Sequence, residues 1–480
     1  MEPIPSFDFF CLGSQYQKME TKTDQAEQLI QELLDLYEKD LPKKWSITAP
    51  PSQPREEEKK TSQGLCSQKD FSFFLQQIEK SRGRALLYPY LGSGRGKGVY
   101  VELLDGSIKM DLLGGVGVQV LGHGHKEIQR AALRAALSDV LMQGHLLLNR
   151  EYKELSCKLL DLVPKESRLK YVWLSSSGSM ANENALKMVR QKNSPRRKIL
   201  AFDRAFAGRT TLMSEITGNP KVKEGLPSYD EVLRIPFYDP RDPGRSLKVL
   251  KSHLKREGDN IGAFIFEIVV GEGGYKSAPR EFFVSLFEEC RLYKVALWAD
   301  EVQTFLRTGR FFAFEKWGLS KYIDLCTVGK ALQLAATFFT EEYKPKPGLV
   351  SGTFSATTPA LAGGLSILEI LEQGYMGEDG FISRIQEDIV KLFKELKEKS
   401  LIEDYDVFGL MAAFSLRDPS LKRTQVFLKL LFQKGVIALS CGRTRVRARF
   451  LIPAIIKTEE IQELKTVLID TLSEFYTSSV

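Results

Sequence analysis

The chain has 480 residues, 43% hydrophobic and 27% charged, enough to bury a large core; at roughly 150 residues per domain it should form about three units. That composition excludes collagen, wholesale disorder and a disulfide-dense scaffold. With 68 Lys+Arg against 61 Asp+Glu the net charge is only +7, and the basic residues are interleaved with acids, so no nucleic-acid groove is indicated.

Six cysteines (Cys11, Cys66, Cys157, Cys290, Cys326, Cys441) lie far apart with no C-x-x-C pair, as expected of reduced thiols in a cytosolic setting. No apolar run reaches the length of a membrane span. The opening MEPIPSFDFFCLGSQYQKME lacks a basic stretch followed by an apolar core, so no secretory signal is expected. These features predict a soluble, cytoplasmic protein with neither a membrane nor a nucleic-acid partner.

In chain order, Ala26, Leu29, Ile30, Leu33, Leu34 and Tyr37 mark one face of a helix over 24–40, with Asp24 placed to cap it. Residues 43–69 carry APPSQP and REEEKK and read as a linker, making 1–69 an N-terminal extension. Residues 70–150 have the texture of turns and short strands, followed by a helix over 126–140. GSGRGKG at 92–98 reads as a turn and not a nucleotide loop, because Lys97 is followed by glycine instead of Ser or Thr. His123 and His125 have no matching Cys/Asp/Glu cluster and are read as parts of a turn, with no metal site.

From 151 to 356, apolar runs alternate with helical periods. YVWL (171–174), KILAF (198–202), GAFIF (262–266), VALWA (295–299) and DLCTV (324–328) are the strand candidates. This alternation predicts an α/β domain with a mostly parallel sheet covered by helices on both faces. Residues 357–480 read as helices with some strand, ending in a helix whose stripe is Ile461, Leu464, Leu468, Leu472 and Phe475.

In an open parallel sheet, ligands bind beyond the carboxyl ends of the strands. The segments following the five strands bring SSSGSMANE, DRAFAGRT, EIVVGEGGY, DEVQT and GKAL to one rim. A lysine, an acid, a glycine-serine turn and an aromatic there match the needs of pyridoxal phosphate. That cofactor takes a lysine for its Schiff base, a carboxylate for its ring nitrogen and a helix start for its phosphate. Lys330, Asp300, Gly178–Ser179 and Phe206 are the candidates, while Tyr275 and Trp173 read as packing residues.

ADEVQTFLRTGRFFAFEKWGL followed by CTVGKAL resembles the signature of class III (ω-amino acid) aminotransferases, pyridoxal-phosphate enzymes of fold type I. DLLGGVGVQVLGHGH, SSGSMANENALK, FAGRTT, GEGGY, SGTFSATTP and VRARFLIP support it, from about Leu87 to the C-terminus. The resemblance implies a large cofactor-binding domain (151–356) and a smaller α+β domain from the N- and C-terminal parts (70–150 and 357–480). It also implies a homodimer with a shared active site. By that resemblance Lys330 is the Schiff-base lysine that shuttles the proton, and Asp300 keeps the pyridine nitrogen protonated. Val302 and Phe206 contact the ring faces, Gln303 the phenolic oxygen, and Gly178 and Ser179 the phosphate. Thr353 is a phosphate ligand supplied across the dimer, and Arg209 holds the carboxylate distal to the reacting amine. Glu272 and Arg449 form a gate that masks the arginine until a keto acid arrives.

The sequence departs from the family's usual residues at Met180, Ala207, Ile268 and Val270, losing polar groups at Met180, Ala207 and Val270. The expected reaction moves the terminal amine of an ω-amino acid, 4-aminobutyrate or lysine, to 2-oxoglutarate. Two alternatives stand beside it. One is other class III chemistry on the same cofactor: ornithine or acetylornithine aminotransfer, an aminomutase, a racemase or a decarboxylase. The other is a non-catalytic scaffold.

Overall fold

The computed structural model describes residues 10–50, 65–138 and 142–477. Its centre is one seven-stranded sheet. The strands are β1 (Tyr171–Ser175), β2 (Lys198–Phe202), β3 (Val232–Ile235), β4 (Ile261–Phe266), β5 (Ala296–Glu301), β6 (Leu325–Val328) and β7 (Ala335–Phe339). Their spatial order is β1-β7-β6-β5-β4-β2-β3. The pairs β6/β5, β5/β4, β4/β2 and β2/β3 are parallel, and only β7 runs against its neighbours. All five sequence-predicted strands are in this sheet; β3 and β7 are additional.

Both faces of the sheet are covered, which is why its strands are continuously apolar. Side chains alternate along each strand. Ile199, Ala201, Ala263, Ile265, Ala296 and Trp298 pack toward Ala185, Leu186, Met188 and Val189 of the helix Gly178–Lys192. Leu200, Phe202, Phe264, Phe266 and Leu297 face the helices Arg245–Glu257 and Arg280–Leu292 through Leu250, Leu254, Phe283 and Phe287. Aromatic pairs such as Phe266–Phe287, with ring centroids 4.6 Å apart, fill this second layer.

The chain on either side of this sheet meets in a smaller sheet. Gly92–Lys97, Tyr100–Leu103 and Ile108–Asp111 form an antiparallel meander, and Val436–Ile437 adds in parallel to Ile108–Asp111. GSGRGKG is therefore a bulged strand, not the turn its glycines predict; the reversal falls at Gly98, where φ is 62°. His123 bridges Gly98 through the backbone, and its Nε2 lies 2.9 Å from Asp111 Oδ2. An antiparallel sheet of Asp404–Phe408, Met411–Ser415, Arg447–Leu451 and Leu439–Cys441 completes the C-terminal part.

The N-terminal helix spans Phe10–Lys39, so Asp24 lies inside it and does not cap it. Ile30 and Leu34 are buried, but Leu29 and Leu33 face outward, so the buried stripe is narrower than the sequence predicts. Arg134 Nε to Glu27 (2.5 Å) and Lys126 Nζ to Glu38 (2.7 Å) tie it to the helix Lys126–Ala136. That second helix ends short of the predicted 140. Residues 51–64 of the linker lie outside the described residues. The five described cysteines other than Cys11 are free thiols. No helix among the described residues is long and apolar enough to cross a membrane.

The closing helix Thr458–Thr477 buries Ile461, Leu464, Leu468, Leu472 and Phe475, the stripe read from the sequence. Leu468→Ala should lower stability by about 2–5 kcal/mol because its side chain is fully enclosed. Leu33→Ala, on an exposed face, should stay within about 0.5 kcal/mol. Urea denaturation midpoints of the two variants check the contrast.

Candidate active site

The carboxyl ends of β1, β2, β4, β5 and β6 open onto one cleft of about 180 Å³. It is lined by Gly178, Ser179, Phe206, Glu272, Asp300, Val302, Gln303 and Lys330, together with Ser177, Asn182, Ala207, Gly208 and Glu267. Eight of the eleven residues singled out from the sequence thus share one concavity. The other three, Arg209, Thr353 and Arg449, stand outside its lining.

Asp300 is placed by register: it pairs with Thr327 across β5/β6, and Lys330 lies just past the end of β6. Its Oδ1 accepts the amide of Val302 at 3.0 Å and its Oδ2 accepts Asn182 Nδ2 at 2.8 Å. Burial pushes its carboxyl up to about 6, against the lowering effect of these two bonds and of Lys330. Lys330 opens a one-turn 3₁₀ helix, Lys330–Leu332, at φ 50°, a left-handed conformation that costs a non-glycine residue on the order of 1 kcal/mol. Burial, reinforced by the Arg449 and Arg307 guanidinium groups, pulls its ammonium down to about 8. That shift brings the free-amine form, the one a nucleophile requires, closer to the neutral range.

The Gly178–Ser179 turn has a steric logic. The helix Gly178–Lys192 starts on Ser177, whose side chain accepts the Met180 amide. The first amides of any helix have no partner inside it. A Cβ at Gly178 would lie 2.6 Å from Val302 Cγ1, and one at Gly208 would lie 2.4 Å from Ser179 Oγ. Gly208 has φ 136°, so its backbone also demands glycine. Ser179 Oγ accepts the Arg209 amide at 3.3 Å, joining this turn to the loop after β2.

Arg449 and Arg447 project from one strand and are both about 1% exposed. Arg447 is committed to Asp406 (2.7 Å) and to main-chain carbonyls of Gly274 and Ala413. Arg449 Nη1 lies 2.6 Å from Glu272 Oε1, and that glutamate is partly exposed in the cleft. The alternating arginines of this segment therefore separate by partner. Arg209 is exposed, with its guanidinium carbon 5.8 Å from the Phe206 ring centroid. Thr353 is exposed beside Gly144.

The sequence pattern of class-III aminotransferases matches residues 86–472 of this chain. The chain belongs to the class-III aminotransferases. It is 28% identical over 402 residues to a probable 4-aminobutyrate aminotransferase of Bacillus subtilis, covering 78% of this chain and 91% of that protein. It is equally 28% identical to an acetylornithine aminotransferase of Bacillus anthracis, covering 77% of this chain and 91% of the relative. A solved Bacillus anthracis aminotransferase superposes with a TM-score of 0.77 at 22% identity, over 85% of this chain and all of the other. The architecture is that of fold type I, and the chain is a pyridoxal-phosphate-dependent aminotransferase.

The cleft fits that cofactor on its own terms. Gln303 Oε1 and Asn182 Oδ1 are buried and have no hydrogen-bond partner among the described residues, each a cost of about 1–3 kcal/mol unless a ligand meets it. A cationic ring nitrogen would likewise offset the buried Asp300 carboxylate. Of the four departures from the family's residues, only Ala207 lines the cleft. Ile268 and Val270 are core residues, and Met180 points outward at 41% exposure.

Four lining residues, Ser177, Gly208, Asn182 and Glu267, escape the sequence reading. Glu267 stands directly after β4, the same position relative to its strand that singles out the candidate lysine and acid, but Glu272 in the same segment drew the assignment. Asn182 sits within a helix, where a polar residue carries no mark of its function. Tyr275, read as packing, is fully buried, with Arg449 5.9 Å from its ring centroid.

The Lys330 shift has a measurable consequence. Its folded value lies below the ordinary 10.5, so the penalty of burying the charged amine is full below about pH 8 and is relieved as pH rises toward 10.5. Cofactor-free protein should therefore gain stability over that window relative to Lys330→Met. A constant difference in thermal midpoint between the two would contradict the shift.

Proposed function

We propose that this aminotransferase moves the terminal amine of an ω-amino acid to 2-oxoglutarate, with ornithine- or acetylornithine-type donors ahead of 4-aminobutyrate and lysine. The donor order differs from the sequence expectation and is supported by relatives named acetylornithine aminotransferase in several organisms beside one named for 4-aminobutyrate. The observation that carries the reaction is the single cleft holding Lys330, Asp300 and the Gly178–Ser179 turn together.

Pyridoxal phosphate, when bound, supplies an electron sink for the bond broken at the amine-bearing carbon. Lys330 holds the cofactor and then, as a free amine, moves the proton at that carbon. Asp300, fixed by Asn182 and the Val302 amide, would place its carboxylate toward the ring nitrogen. Phe206 and Val302 would confine the ring, Gln303 would contact its phenolic oxygen, and Gly178 and Ser179 would hold the phosphate. Arg209 takes the carboxylate distal to the reacting amine.

Glu272 and Arg449 serve two substrates with one pocket. With the ion pair closed, the pocket presents no free cation to the uncharged or cationic end of the donor. With Glu272 turned aside, Arg449 offers a planar fork to the α-carboxylate of 2-oxoglutarate. The main chain need not move, since the Glu272 carbonyl stays bonded to the Gly442 amide at 2.9 Å.

A homodimer would complete the site through Thr353. Leu146 (90%), Leu147 (84%), Phe354 and Met142 are exposed near the segment that carries it, apolar side chains that a second copy would cover. His145 donates its amide to Gly352, so the apolar run and the Thr353 segment are held together.

Lys330→Ala should abolish glutamate formation from every donor tested with 2-oxoglutarate. In Glu272→Ala the KM for 2-oxoglutarate should change in the opposite direction to the KM for the donor. A donor panel read by glutamate release ranks the substrates; full activity in Lys330→Ala would overturn the proposal.

A further inference from the structure

Glu267 stands directly after β4 inside the site, 6% exposed, and has no role in the proposed reaction. A carboxyl group buried this deeply is costly unless its oxygens are satisfied. Among the described residues it forms no ion pair with a lysine or arginine. Instead Oε1 accepts the amide of Phe206 at 3.1 Å and Oε2 accepts the amide of Gly271 at 2.9 Å.

Those two amides belong to different loops. The Phe206 loop follows β2 and is further held by Asn182 Nδ2 on the Ala207 carbonyl (2.7 Å) and by the Ala207 amide on Thr217 Oγ1 (3.0 Å). The Gly271 loop follows β4 and carries Glu272. It is closed by Val270 N to Lys276 O (2.9 Å) and by Gly442 N to Glu272 O (2.9 Å). Gly271 itself is pressed onto Gln303: a Cβ there would come within 2.5 Å of Gln303 Oε1. The Glu267 carboxyl is thus the side chain that bridges the two loops.

We propose that Glu267 is a positioning residue whose carboxyl group locks the loop bearing Phe206 to the loop bearing Glu272, so that the ring face and the gate over Arg449 are set as one unit. The proposal rests on the roles assigned above to Phe206, Glu272 and Arg449. The charged groups acting on it are Asp300 and Lys330. Burial, then the Asp300 charge, push the Glu267 carboxyl above its ordinary range, and the Phe206 and Gly271 amides pull it back toward the ionised form. Each amide faces one oxygen, so the carboxylate accepts both bonds. In Glu267→Gln one oxygen becomes an NH₂ that opposes an amide donor, so one of the two bonds is lost.

The test is residue-resolved hydrogen exchange on the full cofactor-free chain, followed by kinetics of the loaded enzyme. In wild type the Phe206 and Gly271 amides should be protected alike, within about threefold, because one group holds both. In Glu267→Gln at least one of them should exchange faster by about tenfold, the equivalent of one hydrogen bond, while the Thr458–Thr477 helix is unchanged. The loaded variant should show raised KM for both donor and 2-oxoglutarate, with kcat changed less than either.

Protection of the two wild-type amides differing more than about tenfold overturns the lock, and this reading stands even where Glu267→Gln fails to fold. Unchanged exchange in the variant, or loosening spread evenly through the chain, also overturns it. Faster exchange with unchanged KM values reduces Glu267 to a structural contact and overturns the positioning role. Failure of the aminotransferase reading would appear separately, as wild-type protein without turnover.

Discussion

At the end of β5 a carboxylate, Asp300, is buried and held by Asn182 and the amide of Val302, with no arginine or lysine bonded to it among the described residues. Such a group is an unmet electrostatic demand in the fold, and Lys330, brought beside it by the parallel pairing of β5 and β6, answers it only in part. Pyridoxal phosphate, with a carbonyl for the lysine and a basic ring nitrogen for the acid, meets both at once. The surrounding chain is arranged to keep that demand in place: aromatic layers fix the strands, and glycines at 178 and 208 let the turns close in.

The electrostatics around Asp300 form a graded set. Burial raises both Glu267 and Asp300, and Lys330 is lowered by burial and by two guanidinium groups. In each case burial favours the uncharged form, while the attraction between Lys330 and the two carboxyls works against it. The ion pair between Arg449 and Glu272 belongs to the same arrangement of charge, and in the proposed gate it masks a cation until a carboxylate arrives.

The parallel strands were legible because burial on both faces makes each a short uninterrupted apolar run, and polar residues just past those runs stand out. That is how Lys330, Asp300, Phe206 and the Gly178–Ser179 turn could be found from sequence. The two strands missed have physical excuses. β3 is a short edge strand, half-exposed and interrupted by Arg234. β7 returns antiparallel after a single 3₁₀ turn, without the helix that marks the other crossovers. Gly92–Lys97 was misread because glycines usually signal turns, whereas here they permit a bulged strand. Alternation alone could not distinguish Arg447 from Arg449; only their partners, Asp406 and Glu272, do so.

The central claim is that Lys330 and Asp300 flank one cofactor. Its most direct measurement is borohydride reduction of the protein loaded with pyridoxal phosphate, followed by mass mapping of the fixed phosphopyridoxyl group. The account predicts the label on Lys330 alone, with uptake of cofactor weakened in Asp300→Asn. A label distributed over surface lysines, or its absence from Lys330, would contradict it.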